Sequence, residues 1–266
     1  MLNVLKADLY RIVKDKMFII LLIIGAAISV VLPVALAGIY MGVAGGYNRA
    51  AVDSLYIVDV VASPSSAFGL VLGIFILIFL GKDATTLRNK VIGGISRKDI
   101  YFSNLLLCII LYVGLMLAHS LLTFVVTEIF FDIKAADFLY VFLGFLFKVF
   151  GYFVIAAMLS FFGQAFRTIA LGIVLFVILA EVTVGFGSIV QALVPTMMGQ
   201  PGYEHLEPLF KGLTIVSYAL FQYSIGLTLQ VEHNLMFCLT YFTSLVLFGM
   251  AFIGFGYLIM QKKDLK

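Results

Sequence analysis

Met17–Tyr40 reads MFIILLIIGAAISVVLPVALAGIY, 24 residues without a single charged or amide side chain. At ~1.5 Å per residue it makes a helix of about 36 Å, enough to cross a hydrocarbon core of ~30 Å. Five further runs repeat the pattern: Phe68–Gly81, Leu105–Thr127, Phe138–Phe162, Thr168–Val190 and Leu235–Met260. Of these, Phe68–Gly81 is the shortest, and including residues 65–67 lengthens it to a usable span. The whole chain is 63% hydrophobic and 12% charged, with a mean hydropathy of +1.16. Soluble domains average about 45–50% apolar and about 25% charged residues, so a soluble enzyme, a disordered chain and a secreted disulfide scaffold are excluded. A membrane β-barrel is excluded too, since its strands alternate polar and apolar residues over stretches of ~10. The expected fold is an all-α membrane protein of six transmembrane helices, forming one domain over residues 1–266.

The net charge of +3 says less than its placement. Lys6, Arg11, Lys14 and Lys16 precede the first run; Lys82, Arg88, Lys90, Arg97 and Lys98 lie between the second and third. Arg167 separates the fourth from the fifth, and Lys262, Lys263 and Lys266 close the chain. Basic residues accumulate on the cytoplasmic side of a membrane. Six spans with both termini cytoplasmic put all thirteen there and leave Arg49, Lys134 and Lys211 outside. A seventh span over Leu209–Leu229 would export the C-terminal lysines, so that stretch is expected to be re-entrant or surface-lying, within an extracellular segment 191–234. Residues 1–16 carry Leu2, Leu5, Leu9, Ile12 and Val13 at helical spacing, with Lys6, Asp8, Lys14 and Asp15 elsewhere around the wheel, an amphipathic interface helix whose charged residues are expected to face solvent. Ala35-Leu36-Ala37 resembles a signal-peptidase site, but the long basic leader containing Asp8 and Asp15 favours an uncleaved span. The charge pattern and apolar bulk point to a cell (plasma) membrane and offer nothing to nucleic acid.

Catalytic signatures are missing from the sequence. There is no G-x-x-x-x-G-K-[ST], no H-E-x-x-H and no G-x-S-x-G. Glu204-His205 and Glu232-His233 are adjacent pairs, too short-ranged to define a metal site, and Cys108 and Cys238 make no framework. The sequence therefore assigns no catalytic residue, metal or cofactor to this chain.

Two constellations remain. The first is the loop 82–99. Asp83 is placed to cap a short helix whose Leu87, Val91 and Ile92 share a side, flanked by Arg88 and Lys90 and stopped at Gly93-Gly94. A second helix is expected to start at Ser96, with Asp99 three residues on. Such a basic amphipathic helix suits a groove on a partner protein. The second is intramembrane: His119, Lys148 and Glu181 fall in spans three, four and five. Unpaired charges there cost about 2.5–3.5 kcal/mol each on insertion scales, so Lys148 and Glu181 are expected to pair. That pair either locks helices or lines a pathway, and His119 reads as a hydrogen-bonded helix contact. Small residues at Gly38-x-x-x-Gly42, Gly69-x-x-x-Gly73 and Gly185-x-Gly187 allow close helix approach, within the bundle or across a dimer.

The pattern Asp83, Thr86-Leu87-Arg88-Asn89-Lys90, Gly94-Ile95-Ser96-Arg97, Ile100-Tyr101 resembles permease subunits of type-2 ATP-binding-cassette (ABC) exporters. The resemblance extends to the basic amphipathic N-terminus, the six spans and the outer segment before the last one. Thr85 departs from it, standing where that family commonly has Gly. The resemblance implies that Asp83, Thr86, Leu87, Arg88, Lys90, Val91 and Arg97 couple to a separate ABC ATPase subunit. It further implies that ATP and Mg bind there rather than on this chain, and that a second permease copy or paralogue completes the transporter. The cargo would be amphipathic or hydrophobic: a peptide, an antibiotic or a lipid. Two other classes compete. One is a non-transporting immunity or sensor subunit. The other is an ion-coupled secondary transporter using Lys148, Glu181 and His119, disfavoured by the missing inverted repeat.

Overall fold

A computed structural model describes residues 1–43, 54–130, 138–166, 168–197, 203–229 and 235–262, with side chains at 40–43, 54, 83–88, 138 and 204 left out of the description. Among these residues the chain is all-helical. Five helical stretches are long and apolar enough to cross a membrane: Lys16–Ile39, Arg97–Phe130, Leu139–Ala165, Ile169–Met197 and Leu235–Lys262. The apolar part of a sixth, Ala67–Lys82, is shorter.

The helix α1 (Leu2–Lys14) leads into α2 (Lys16–Val43), which tolerates Pro33 inside it. A short α3 (Ser54–Val61) follows, then α4 (Ala67–Ile92). The next long stretch is composite: α5 (Arg97–Cys108), one π-helical turn (Ile109–Val113) and α6 (Gly114–Phe130). Next come α7 (Phe138–Ala165), α8 (Ile169–Met197), α9 (Glu207–Ala219), α10 (Phe221–Ile225) and α11 (Leu235–Lys262). The core forms around α7, whose Tyr152, Ile155, Met158 and Leu159 are all fully buried. Its neighbours include α4, α11 and the π turn.

Glycines set how closely the helices pack. A Cβ at Gly73 of α4 would meet the Phe176 ring of α8 at 2.3 Å, and one at Gly187 of α8 would meet the Tyr223 ring at 2.3 Å. Gly73 and Gly187 thus serve helix packing inside the bundle, Gly69 makes room for the backbone of Ser63 and Pro64 just before its own helix, and Gly38 and Gly185 face open space. The Gly42 side of that motif lies outside the described side chains.

The structure corrects two sequence expectations. The segment after Gly81 does not begin a separate loop helix at Asp83; α4 runs unbroken to Ile92. Capping residues start helices only where the preceding backbone is not already helical, and nothing between Gly81 and Ile92 breaks the helix. On α1 the buried stripe is Val4, Leu5, Asp8 and Ile12, while Leu2 and Val13 are 63% and 59% exposed. Asp8, placed by the sequence on the polar side, faces inward.

Candidate functional site

The helix α3 carries an acid in the middle of an apolar run, and the fold buries it. Asp59 and Lys148 of α7 are both fully buried, with Lys148 Nζ 2.6 Å from Asp59 Oδ1. The ammonium also donates to the Ile225 carbonyl at 3.0 Å, and Asp59 Oδ2 accepts the Leu229 backbone N–H at 2.9 Å. A buried pair is costly unless further hydrogen bonds support both charges; here the backbone of α10 and the turn after it supplies one such bond to each partner. The Ile225 carbonyl is one of the orphan acceptors at a helix C-terminus, where a cation is also favoured by the helix dipole. Gly144, Lys148 and Gly151 lie four and three residues apart on one face of α7. A Cβ at Gly144 would lie 2.9 Å from the Thr228 carbonyl, and one at Gly151 2.3 Å from the Ile225 side chain. The two glycines let α10 and its turn come close enough for the lysine to reach a backbone carbonyl.

The C-terminal end of α3 is fastened by side chains as well. His119 Nε2 donates to the Val61 carbonyl at 3.2 Å, and its Nδ1 shares a hydrogen bond with the Ser29 hydroxyl of α2. Tyr152 Oη donates to the Ala62 carbonyl at 2.6 Å and lies 3.0 Å from Ser120 Oγ. So α2, α6 and α7 together hold one two-turn helix in place.

This corrects the expected Lys148–Glu181 pair. Lys148 is matched by Asp59, while Glu181 sits on the exposed face of α8. His119 belongs to the same assembly as Lys148, through α3. Asp59 escaped the sequence reading because it lies between two long apolar runs, in a stretch taken for an outer loop. The available signal was a lone acid within Leu55–Ala62, an apolar segment of eight residues, opposite a lone lysine inside a span.

Beside this lock is a cavity of about 630 Å³, walled by α2, α3, the start of α4, α8 and α10. Its polar lining includes Tyr56, Ser66, Ser188 and Gln191; its apolar lining includes Leu32, Val60, Val184 and Leu227. Gln222 is also in the wall, but its amide turns to Thr183, whose hydroxyl donates to Oε1 at 3.0 Å.

At the opposite end of α4 lies a second constellation. The Ile95 N–H bonds the Lys90 carbonyl at 3.1 Å and the Gly94 N–H bonds that of Val91 at 3.0 Å, with Gly94 at φ +86°. This is the Schellman arrangement, in which a left-handed residue stops a helix and satisfies its last carbonyls. Two residues on, Ser96 caps α5: its Oγ accepts the Asp99 N–H at 3.0 Å and donates to Asp99 Oδ2 at 2.8 Å. The tight turn is tied to both ends of the chain. Lys90 Nζ lies 3.1 Å from Asp8 Oδ2 of α1, and Arg11 lies 3.4 Å from Oδ1. Arg97 donates to the Gln261 carbonyl of α11 at 2.7 Å. Two of the cations read as docking groups, Lys90 and Arg97, are thus engaged within the chain. Val91 packs partly buried beside Ile100 and Tyr101, while Asp83, Thr86, Leu87 and Arg88 have side chains outside the described residues.

Among the described residues no group of three or more His, Cys, Asp or Glu side chains could hold a metal ion. Neither Cys108 nor Cys238 is in a disulfide. Comparison with protein-family models, with curated proteins and with solved structures finds no match for this chain.

Proposed function

We propose that this chain is the permease subunit of a type-2 ABC exporter, crossing the plasma membrane six times with both termini cytoplasmic. The observation that carries this reading is α4, a single 26-residue helix from the cavity wall at Ser66 and Ala67 to the braced turn at Gly93. At ~1.5 Å per residue that is a rod of about 39 Å. In this reading its basic end, residues 83–92, seats on a separate ATPase subunit. Closure of the ATPases on ATP and Mg displaces that end, and the unbroken helix carries the movement to the cavity. The Asp8–Lys90 and Arg97–Gln261 contacts make α1 and α11 move with the same turn.

The sixth crossing is α4 itself. Its apolar part, Ala67–Lys82, covers about 24 Å, and such a short span is accommodated by local thinning of the bilayer and by snorkelling of the flanking lysine. The helix α1 then lies along the cytoplasmic face, and α9 with α10 forms the element that dips back from the outside. The wall of hydroxyls and amides beside Leu32, Val60 and Val184 suits a cargo that is amphipathic, such as a peptide, an antibiotic or a lipid. A second permease copy or paralogue completes the transporter, and ATP hydrolysis belongs to the partner.

Affinity purification of the full chain from its own cells tests this directly. An ATPase carrying a G-x-x-x-x-G-K-[ST] motif should co-purify with the wild type and be lost with Leu87→Asp or Arg88→Glu. Its retention by both variants would remove the coupling role of α4. Proton- or sodium-driven flux from the purified chain without any ATPase would favour the ion-coupled alternative.

A further inference from the structure

We propose that the cavity beside α3 binds an uncharged, hydroxyl-bearing headgroup of an amphiphile whose apolar tail stays in the bilayer between α2 and α8. At about 630 Å³ the space falls within the roughly 300–1,000 Å³ of ordinary small-molecule sites. Among the described lining residues its chemistry is that of a hydrogen-bonding, charge-free pocket. Of these only Asp59 is an acid or a base, and its carboxylate is fully buried against Lys148 and the Leu229 N–H. It therefore offers neither a cation nor an anion to a ligand.

Hydrogen-bonding groups are left over for one. Among the described residues the side chains of Tyr56, Ser188 and Gln191 have no partner within the chain. Ser66 Oγ accepts the Gly69 N–H at 3.2 Å and keeps its own hydrogen to donate. Three hydroxyls and one primary amide, each able to donate and accept, converge from α3, α4 and α8 on one space. Polar groups facing hydrocarbon must be satisfied, and a headgroup of alternating donors and acceptors satisfies them.

The rim explains the tail. Leu32, Tyr56 and Val60, which line the cavity, are among the large exposed apolar residues, and on α8 so are Val182, Ile189 and Leu193 next to the lining positions. The opening is thus flanked by side chains compatible with acyl chains. Glu181 marks the boundary of the site. It stands seven residues before Ser188 on the same stripe of α8, about 10 Å away along the axis, and does not line the cavity. A cationic headgroup seated in the cavity would not meet it.

This inference names the cargo class of the proposed permease and rests on that reading for the direction of transport, but the binding step needs no ATPase. The test uses the full chain in vesicles containing equal amounts of three dioleoyl lipids. Their headgroups are glucosyl-glycerol (uncharged), phosphatidylglycerol (anionic) and trimethylammonium-propane (cationic). Lipid retained after detergent extraction is counted by native mass spectrometry. The glucosyl lipid should be retained about 10-fold over the other two, as expected if one to two hydrogen bonds of ~1 kcal/mol decide the preference. The ratio should fall to near 1 in Ser188→Val/Gln191→Leu, which removes the donors, and in Ala192→Phe, which fills the space; Glu181→Gln should leave it unchanged. Equal retention of all three lipids by the wild type, or preference for a charged one, overturns the proposal. So does a glucosyl preference that survives in both cavity variants, because it would report lipid around the bundle rather than in it. None of these outcomes bears on ATPase docking, so failure here leaves the permease reading to its own test.

Discussion

At the scale of single residues, the buried Asp59–Lys148 pair decides how the middle of the molecule is held. Removing one member leaves an uncompensated charge where water does not reach, at a cost of about 3–5 kcal/mol. Asp59→Ala should therefore lower the thermal midpoint in detergent far more than Lys211→Ala, which removes one member of an exposed pair on α9. Replacing both partners, as in Asp59→Leu/Lys148→Met, should recover much of the loss, since apolar groups of similar size need no partner. If the double variant is as unstable as Asp59→Ala, the cost does not come from an orphaned ammonium. The intramembrane lysine was legible in the sequence, and so was its need of an acid. The choice of acid was not. Glu181 is nearer in sequence through a short connection, but the partner is fixed by the close approach of α10 over Gly144 and Gly151, a tertiary fact with no local signal.

At the scale of elements, helix ends were partly legible and helix continuity was not. Ser96 and Asp99 form the cap that their spacing announces, and Gly93-Gly94 stops α4 where expected. Asp83 failed as a start because the apolar run before it was already a helix and the following polar residues are compatible with one. The orientation of α1 was misread for a related reason: an aspartate was assumed to face solvent, and Lys90, 82 residues away, makes its burial acceptable. The turn offers a clean test of how much geometry matters there. Gly94 has a positive φ of 86°, yet nothing lies within 4 Å of a Cβ built on it. Gly94→Ala therefore adds no clash and isolates the backbone term, about 1 kcal/mol for an alanine in the left-handed region. Hydrogen exchange should show faster opening of α1 and the last turn of α4 in this variant, with α7 unchanged. Unaltered exchange at α1 would mean that the Asp8–Lys90 contact does not depend on this turn.

At the scale of the whole molecule, everything turns on whether α4 crosses. The apolar runs made a helical membrane bundle legible from composition alone, because long uncharged stretches have few alternatives. The number of crossings rests on the shortest of them, and hydropathy discriminates poorly at that length. The structure adds a physical argument: α4 is continuous through Lys82, packs on α7 and α8, and separates the cavity at one end from the α1–α5–α11 junction at the other. If α4 crosses as proposed, Ala67 and Lys98 lie on opposite faces of the membrane. Both are exposed, and Cys108 is fully buried, so a Cys238→Ser background is expected to be silent to maleimides. In intact cells a membrane-impermeant maleimide should label Ala67→Cys, and should label Lys98→Cys only after permeabilisation. Labelling of both positions from the same side would leave five crossings. It would then place the cavity and the basic turn in one compartment, where α4 could not transmit a push from an ATPase on one face to a cargo leaving by the other.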